Sequence, residues 1–289
     1  MARIALVTSR PGADVVADPD LPVLLEALRA AGAEAQGVAW DDPDVDWGGF
    51  DLAVIRSTWD YSWRAAEFLD WAERCGRATR LANPAHIVRW NVDKRYLGDL
   101  AAARIPTVPT RYLAPGEPAD LPDGHEYVVK PTSGAGARLA ARYTPDQHAT
   151  AVRQLERMHA DGFTAMVQPY VDAIDTTGER ALVLYGGTLR HAIRKGPVLA
   201  RGTAYDERKV PHPGVEPWTP TGPERTLAER ALAAVPGASG LLYARVDLVD
   251  GADGEPCVME LELVEPHLFL DLHPGSVEPI AAAMLAAAR

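Results

Sequence analysis

The sequence predicts an α/β protein in two parts: an N-terminal doubly wound α/β domain over residues 1–83, then a mixed α+β region over residues 84–289. Strands and helices alternate at short spacing up to about residue 83, as a parallel sheet requires. Beyond that point apolar runs come in pairs joined by tight turns, which is the pattern of antiparallel hairpins. No window reaches the ~18 apolar residues that suggest a membrane span, and 47% apolar with 24% charged residues is an ordinary globular balance.

In order, IALVTS (4–9) reads as a strand, LPVLLEALRAAG (21–32) as a helix closed by Gly32, and AEAQGVAW (33–40) as a second strand. FDLAVIRST (50–58) gives a third strand and AAEFLDWAERCG (65–76) a helix ending in glycine. Ligands of such sheets sit beyond the carboxyl ends of the strands, which places RSTWDYSW (56–63) at a ligand edge. A helix over 92–105 leads through the extended PTVPTRYL to strands 125–131 and 137–143, joined by the turn TSGAGA. A helix over 145–162, with Pro145 in its first turn, precedes the strand TAMVQPYV (164–171). ERALVLYGG and TLRHAIRKG form a hairpin around Gly186-Gly187, and a Pro-rich stretch over 196–223 is expected to be mobile. The helix 224–237, a second hairpin turning at Asp253-Gly254 and an amphipathic helix from 275 complete the chain.

A formal charge of −11 argues against nucleic acid or an anionic membrane as main partner, since both need a basic footprint. Cys75 and Cys257 lie far apart, outside any CxxC or Cys/His cluster, which fits reduced thiols in the cytoplasm. The opening MARIALVTSRPG is too short for a signal-peptide core. Of 29 basic residues only four are lysine: Lys94, Lys130, Lys195 and Lys209. A compact ammonium suits phosphate contact. Three of the four stand at telling places: the start of a helix, the end of a strand before the glycine turn, and the end of HAIRK.

The stretch VMELELVEP (258–266) carries the strongest chemistry. Strand alternation puts Glu260 and Glu262 on one side, with Met259, Leu261 and Leu263 on the other. A hairpin turning near 250–255 brings Asp247 of RVDLV close to Glu260 or Glu262. Three converging carboxylates repel unless a cation joins them, and oxygen ligands favour Mg²⁺, which also holds phosphates. Arg245 faces the same side and can hold a phosphate beside it. Spacing alone leaves open a solvated face of weak salt bridges. The turn after VVKP, Ser133 to Gly136, offers backbone amides to phosphate oxygens, although it is neither a P-loop nor a dinucleotide fingerprint. Glu265, outside the alternation, receives no role.

The order of these motifs resembles the ATP-grasp superfamily over roughly residues 84–289: Lys94, then Lys130 with Ser133 to Gly136, VQPYV at 167–171, Arg245 with Asp247, and MELE at 259–262. The resemblance implies two α+β subdomains clamping ATP, with residues 107–171 as a small lid. It implies adenine bound by Gln168, Pro169, Tyr170 and Val171, the ribose by Asp175 or Glu179 with preference for Asp175, and the phosphates by Lys94, Lys130 and the Ser133, Gly134, Ala135, Gly136 turn. Arg194 or Lys195 would meet the terminal phosphates. Asp247, Glu260 and Glu262 would hold one or two Mg²⁺, for which Mn²⁺ could substitute. Many members carry Glu-x-Asn where this chain has Glu260-Leu261-Glu262, and the EPHLFLDLHP that follows here lacks their usual Asn-Pro-Gly ending. These departures, with RSTWDY, resemble the branch that includes the cyclo-ligase of D-cycloserine biosynthesis, which closes O-ureido-D-serine at the expense of ATP.

The resemblance implies a ligase that phosphorylates a carboxylate to an acyl phosphate, which an amine-type nucleophile of the same or another molecule then attacks, releasing ADP and phosphate. Arg245 would stabilise the intermediate, Arg56 would grip the substrate carboxylate, and Ser57, Thr58, Trp59, Asp60 and Tyr61 would shape the substrate pocket. Interdomain packing is the competing role for Trp59 and Tyr61. The expected partners are ATP and a small amino-acid-like carboxylate, with neither nucleic acid nor membrane; a homodimer is left open. A small-molecule kinase and a non-catalytic nucleotide-binding module are the alternatives on the same fold.

Overall fold

The computed structural model describes residues 1–10, 17–134, 136–203 and 213–289. The first sheet is parallel, with β1 (Arg3–Thr8), β2 (Glu34–Ala39), β3 (Leu52–Ser57) and β4 (Arg80–Ala82) in the order β2-β1-β3-β4. Alternation divides its side chains between two cores, as a doubly wound sheet requires. Ile4, Leu6, Leu52 and Val54 pack with Leu24 and Leu28 of α1 (Asp20–Ala30), while Ala5, Val7, Ala53 and Ile55 pack with Phe68 and Trp71 of α2 (Ala65–Ala78).

The second sheet is antiparallel and small: β5 (Arg111–Leu113), β6 (Tyr127–Pro131), β7 (Ala141–Tyr143) and β8 (Ala165–Pro169), ordered β5-β8-β6-β7. Helix α5 (His148–Ala160) covers it with Ala151, Leu155 and Met158. The third sheet carries β9 (Glu179–Tyr185), β10 (Thr188–Lys195), β11 (Glu216–Trp218), β12 (Tyr243–Asp250) and β13 (Pro256–Glu262) in the antiparallel order β11-β10-β9-β12-β13. One face packs on α3 (Ala85–Asn91), α4 (Tyr96–Ala102) and α6 (Gly222–Ala233) through Ile87, Leu97, Leu100, Leu227, Leu182 and Val246. Helix α7 (Val277–Ala287) returns to the first sheet, joining Ile280 and Met284 to the core of α1.

Gly186 and Gly187, at φ 59° and 73°, turn the β9–β10 hairpin as expected, because two successive positive φ values suit glycine. Elsewhere local geometry overrides the sequence pattern. The strand expected over 137–143 is only Ala141–Tyr143, since Ala137 and Leu139 adopt φ of 57°. The helix expected over 92–105 reduces to Tyr96–Ala102, and α2 runs through Gly76 to Ala78. Within the stretch 196–223, residues 216–218 form β11 and α6 begins at Gly222; residues 204–212 lie outside the described residues. Among the described residues no helix is long and apolar enough to cross a membrane.

Candidate active site

Three sheets and the loop after β13 enclose a cavity of about 570 Å³. The β12–β13 register builds its charged wall: Arg245 pairs with Glu262 and Asp247 with Glu260 across the ladder. The next pair is Leu248 with Val258, so Met259 is the extra residue of a β-bulge. Met259 lines the cavity, where simple alternation places it on the far face. The end of β13 is held from behind. Asn91 donates to the Leu261 carbonyl and accepts from the Leu263 amide, both at 2.8 Å, and the Tyr96 hydroxyl accepts from the Leu261 amide at 2.9 Å. Asn83 donates to the carbonyls of Tyr243 and Leu263 and accepts from the Leu242 amide. Amide side chains from outside the hairpin therefore fix where its carboxylates point.

On this wall cations and anions interlock. Arg245 Nε donates to Asp247 Oδ1 at 2.8 Å, and a second guanidinium nitrogen bonds both Asp247 Oδ2 and Glu262. Lys195 Nζ lies 2.6 Å from Asp247 Oδ2 and also pairs with Glu179. Lys94 bridges Glu260, at 3.2 Å, and the Gly134 carbonyl, at 2.6 Å, tying the acidic strand to the glycine turn. Asp247 is 1% exposed, yet Arg245 and Lys195 outweigh its burial and hold its carboxyl below the ordinary range. Burial alone would lower Lys94, but Glu260 and Glu262 raise it. Lys130 lies below its ordinary value, because burial outweighs the attraction of Glu260. Burial raises Glu262 despite Arg245, and pushes Glu179 up to about 7 despite Lys195. The cavity thus sets ammonium and guanidinium groups beside carboxylate oxygens, the donor types that suit phosphate groups and a hard divalent cation.

Several expected residues meet here: Lys94, Lys130, Gly134, Gly136, Gln168, Pro169, Tyr170, Val171, Glu179, Lys195, Arg245, Asp247, Glu260, Glu262, Trp59 and Tyr61 all line the cavity. Ala135 lies outside the described residues. Other expected residues turn elsewhere. Arg56 is fully buried against Asp18, Asp20 and the Pro266 carbonyl, so it is a clip between the first sheet and the loop after β13, away from the cavity. Arg194 reaches out from β10 to Glu216 on β11, because alternation turns it away from the side of Lys195. Asp175 faces Arg142 and the Tyr170 hydroxyl, leaving Glu179 as the acid inside the cavity. Asp60 accepts from Ser9 and Trp40, Ser57 accepts from the Ser9 amide, Thr58 is buried, and the half-buried Ser133 keeps its hydroxyl oxygen shielded from solvent.

The sequence reading missed Glu265, His267, Phe269 and Arg138, which also line the cavity. Glu265 carried a signal in its place three residues beyond Glu262, but a bend after Glu262 ends the alternation that would have shown its direction.

Comparison with known proteins places the chain by sequence and by fold. A family model described as the N-terminal domain of D-cycloserine synthetase DcsG matches residues 4–83. The cycloserine biosynthesis protein DcsG of Streptomyces lavendulae is 40% identical over 288 residues, covering 93% of each chain. The crystal structure of D-cycloserine synthetase DcsG superposes with a TM-score of 0.89 at 37% identity over 100% of both chains. The same fold appears at 22% identity in a RimK domain ATP-grasp protein from Sphaerobacter thermophilus DSM 20745, with a TM-score of 0.67 over 99% of each chain. It appears again at 15% identity in D-alanine–D-alanine ligase from Bacillus anthracis, with a TM-score of 0.66 over 100% of this chain and 97% of that one. The fold is that of the ATP-grasp ligases. Within that class, the chain belongs to the DcsG family.

Proposed function

We propose that this enzyme activates the carboxylate of an amino-acid-derived substrate as an acyl phosphate at the expense of ATP and joins it to an amine-type nitrogen. The names of its relatives point to closure of O-ureido-D-serine to D-cycloserine: the N–O nitrogen attacks the activated carboxyl and displaces phosphate, ADP having left at activation, and water removes the carbamoyl group as carbon dioxide and ammonia. The carrying observation is the single cavity in which Lys94, Lys130, Lys195 and Arg245 face Asp247, Glu260 and Glu262. Residues 84–289 form the ATP-clamping region in this reading, with 107–171 as its lid.

The donors suit Mg²⁺: they are anionic oxygens, and the side chains of Glu260 and Glu262 are 25% and 24% open to the cavity. Glu260 and Glu262 would hold it with Asp247 as the third carboxylate, and it would neutralise charge on the phosphates of ATP. Lys94, Lys130 and Lys195 place the terminal phosphate; Arg245 offers its guanidinium to the acyl phosphate oxygens while Asp247 keeps that fork oriented. Gln168, Pro169, Tyr170 and Val171 border the adenine, and Glu179 replaces Asp175 as the ribose acid.

The test is ADP release by purified protein with Mg-ATP and O-ureido-D-serine, with the product followed by mass spectrometry. ADP, phosphate and a ring product that has lost the carbamoyl group, with ammonia and carbon dioxide released, support the reading. AMP and pyrophosphate would overturn it, and a stable phosphorylated product needing no amine would mark a kinase.

A further inference from the structure

Among the described residues two acids of the cavity wall, Glu265 and the exposed Asp271, have no basic side chain paired with them, and of these only Glu265 is buried. Glu260 has Lys94, Glu262 has Arg245, and Glu179 and Asp247 share Lys195. Glu265 is 7% exposed and lines the cavity beside Trp59, Tyr61 and His267. The Tyr61 hydroxyl lies near its carboxyl. Burial, then the charge of Glu262, pushes its carboxyl up to about 8, so the vacant wall favours whatever positive charge can reach it.

The loop that carries Glu265 is rigid. Four successive carbonyls are each held by a side chain: Glu265 by Trp59 Nε1 at 3.2 Å, Pro266 by Arg56 at 3.1 Å, His267 by Arg245 at 3.3 Å and Leu268 by His191 at 2.6 Å. Asp20 accepts the amides of Leu268 and Leu270 at 2.8 and 2.9 Å. So much restraint around one uncompensated carboxylate marks a preorganised binding group.

We propose that Glu265, assisted by the Tyr61 hydroxyl, receives the α-ammonium of the amino-acid substrate, an assignment that rests on the ligase reading above. An α-amino acid bears its ammonium one carbon from the carboxylate. A substrate presenting that carboxylate to Arg245 therefore sets its ammonium close by, on the side where Glu265 couples to Glu262. The rings of Trp59 and Tyr61 at the same wall favour a cation over a neutral polar group. Because Tyr61 comes from the first sheet's edge and Glu265 from the loop after β13, the ammonium would bridge two parts of the fold. The selected substrate class is thus α-amino carboxylates over their des-amino counterparts.

The probes are O-ureido-D-serine and 3-(ureidooxy)propanoate, which differ only in the amine. Wild-type protein should prefer the first in kcat/KM. Glu265→Gln should raise KM for O-ureido-D-serine by about 10- to 100-fold, the range of a lost charge-assisted hydrogen bond. It should leave KM for ATP within about 2-fold and erase the preference between the two probes. Tyr61→Phe should do the same to a smaller degree, with Glu265→Asp retaining preference if Gln disturbs folding. Equal weakening of both probes, or a fall in kcat with a shifted pH profile and the preference intact, would overturn the assignment. Calorimetric binding of O-ureido-D-serine in the presence of Mg-ADP separates the two readings. Binding that depends on Glu265 without turnover rejects the ligase reading alone, while binding indifferent to Glu265 rejects the ammonium site.

Discussion

Arg56 and Arg245 are both buried arginines, 0% and 5% exposed, each set between two acids and each donating to a carbonyl of the same loop. Arg56 faces Asp18 and Asp20, whose side chains are 0% and 1% exposed, and the acids beside it bond backbone amides. Arg245 faces Asp247 and Glu262, and the latter keeps a quarter of its side chain toward the cavity. The first cluster is closed on all sides and fastens two parts of the chain. The second leaves anionic oxygens able to take another ligand. Residue type does not separate these roles; access does.

Replacing Arg56 is the largest expected perturbation of the closed cluster. Arg56→Met strands two buried carboxylates and should cost about 3–5 kcal/mol in urea unfolding, while the folded fraction keeps its KM for ATP. A rise in substrate KM at unchanged stability would erase the contrast and return Arg56 to the substrate. Glu260→Gln tests the open cluster: kcat should fall about 10²- to 10³-fold with Mg-dependence lost and thermal unfolding near wild type. Activity close to wild type would remove Glu260 from the metal-holding set.

His191 extends the comparison to pH. It is 8% exposed, donates from Nε2 to the Leu268 carbonyl and accepts at Nδ1 from Ser276, so it is held neutral. Burial, outweighing that carbonyl, lowers it to about 4 from the ordinary value of about 6.5. The unfolded chain then binds a proton across this window that the folded chain refuses, so stability is lost as pH falls from about 6.5 toward 4. The loss attributable to His191 is about 3 kcal/mol. Denaturant titrations should show His191→Gln losing less stability than wild type over that interval; parallel slopes would show that the ring is charged in the fold. The smallest effect is expected at Arg194, paired with Glu216 at the surface. Arg194→Ala should alter unfolding by less than about 0.5 kcal/mol and leave kcat in place, and a large loss of kcat would put Arg194 back among the phosphate contacts.

Much of the site was legible because strands report side-chain direction through their period. Glu260, Glu262, Asp247 and Arg245 share a face by alternation and meet by hairpin register, and both hold in the structure. The rarity of lysine pointed to Lys94, Lys130 and Lys195 through composition alone. Arg56 was misread for a related reason: its strand end lies at the ligand edge, but Asp18 and Asp20, 36 or more positions away in sequence, reach it first. Asp175 was misread because Arg142, from β7, claims it.

By itself, then, the sequence determined the element order, the paired hairpins and the set of chemical groups able to bind a polyphosphate, since periodicity, turn glycines and residue chemistry are local properties. Only the tertiary structure decided which of those groups face the cavity. That choice depends on a bulge at Met259, on amide clamps from Asn83 and Asn91, and on which cation lies within reach of each buried acid. These are contacts between distant residues, and burial makes their electrostatic outcome large. Glu265 shows the difference most sharply: its chemistry is plain in the chain, but its want of a cation appears only once Lys94, Lys195 and Arg245 are seen to pair with other acids.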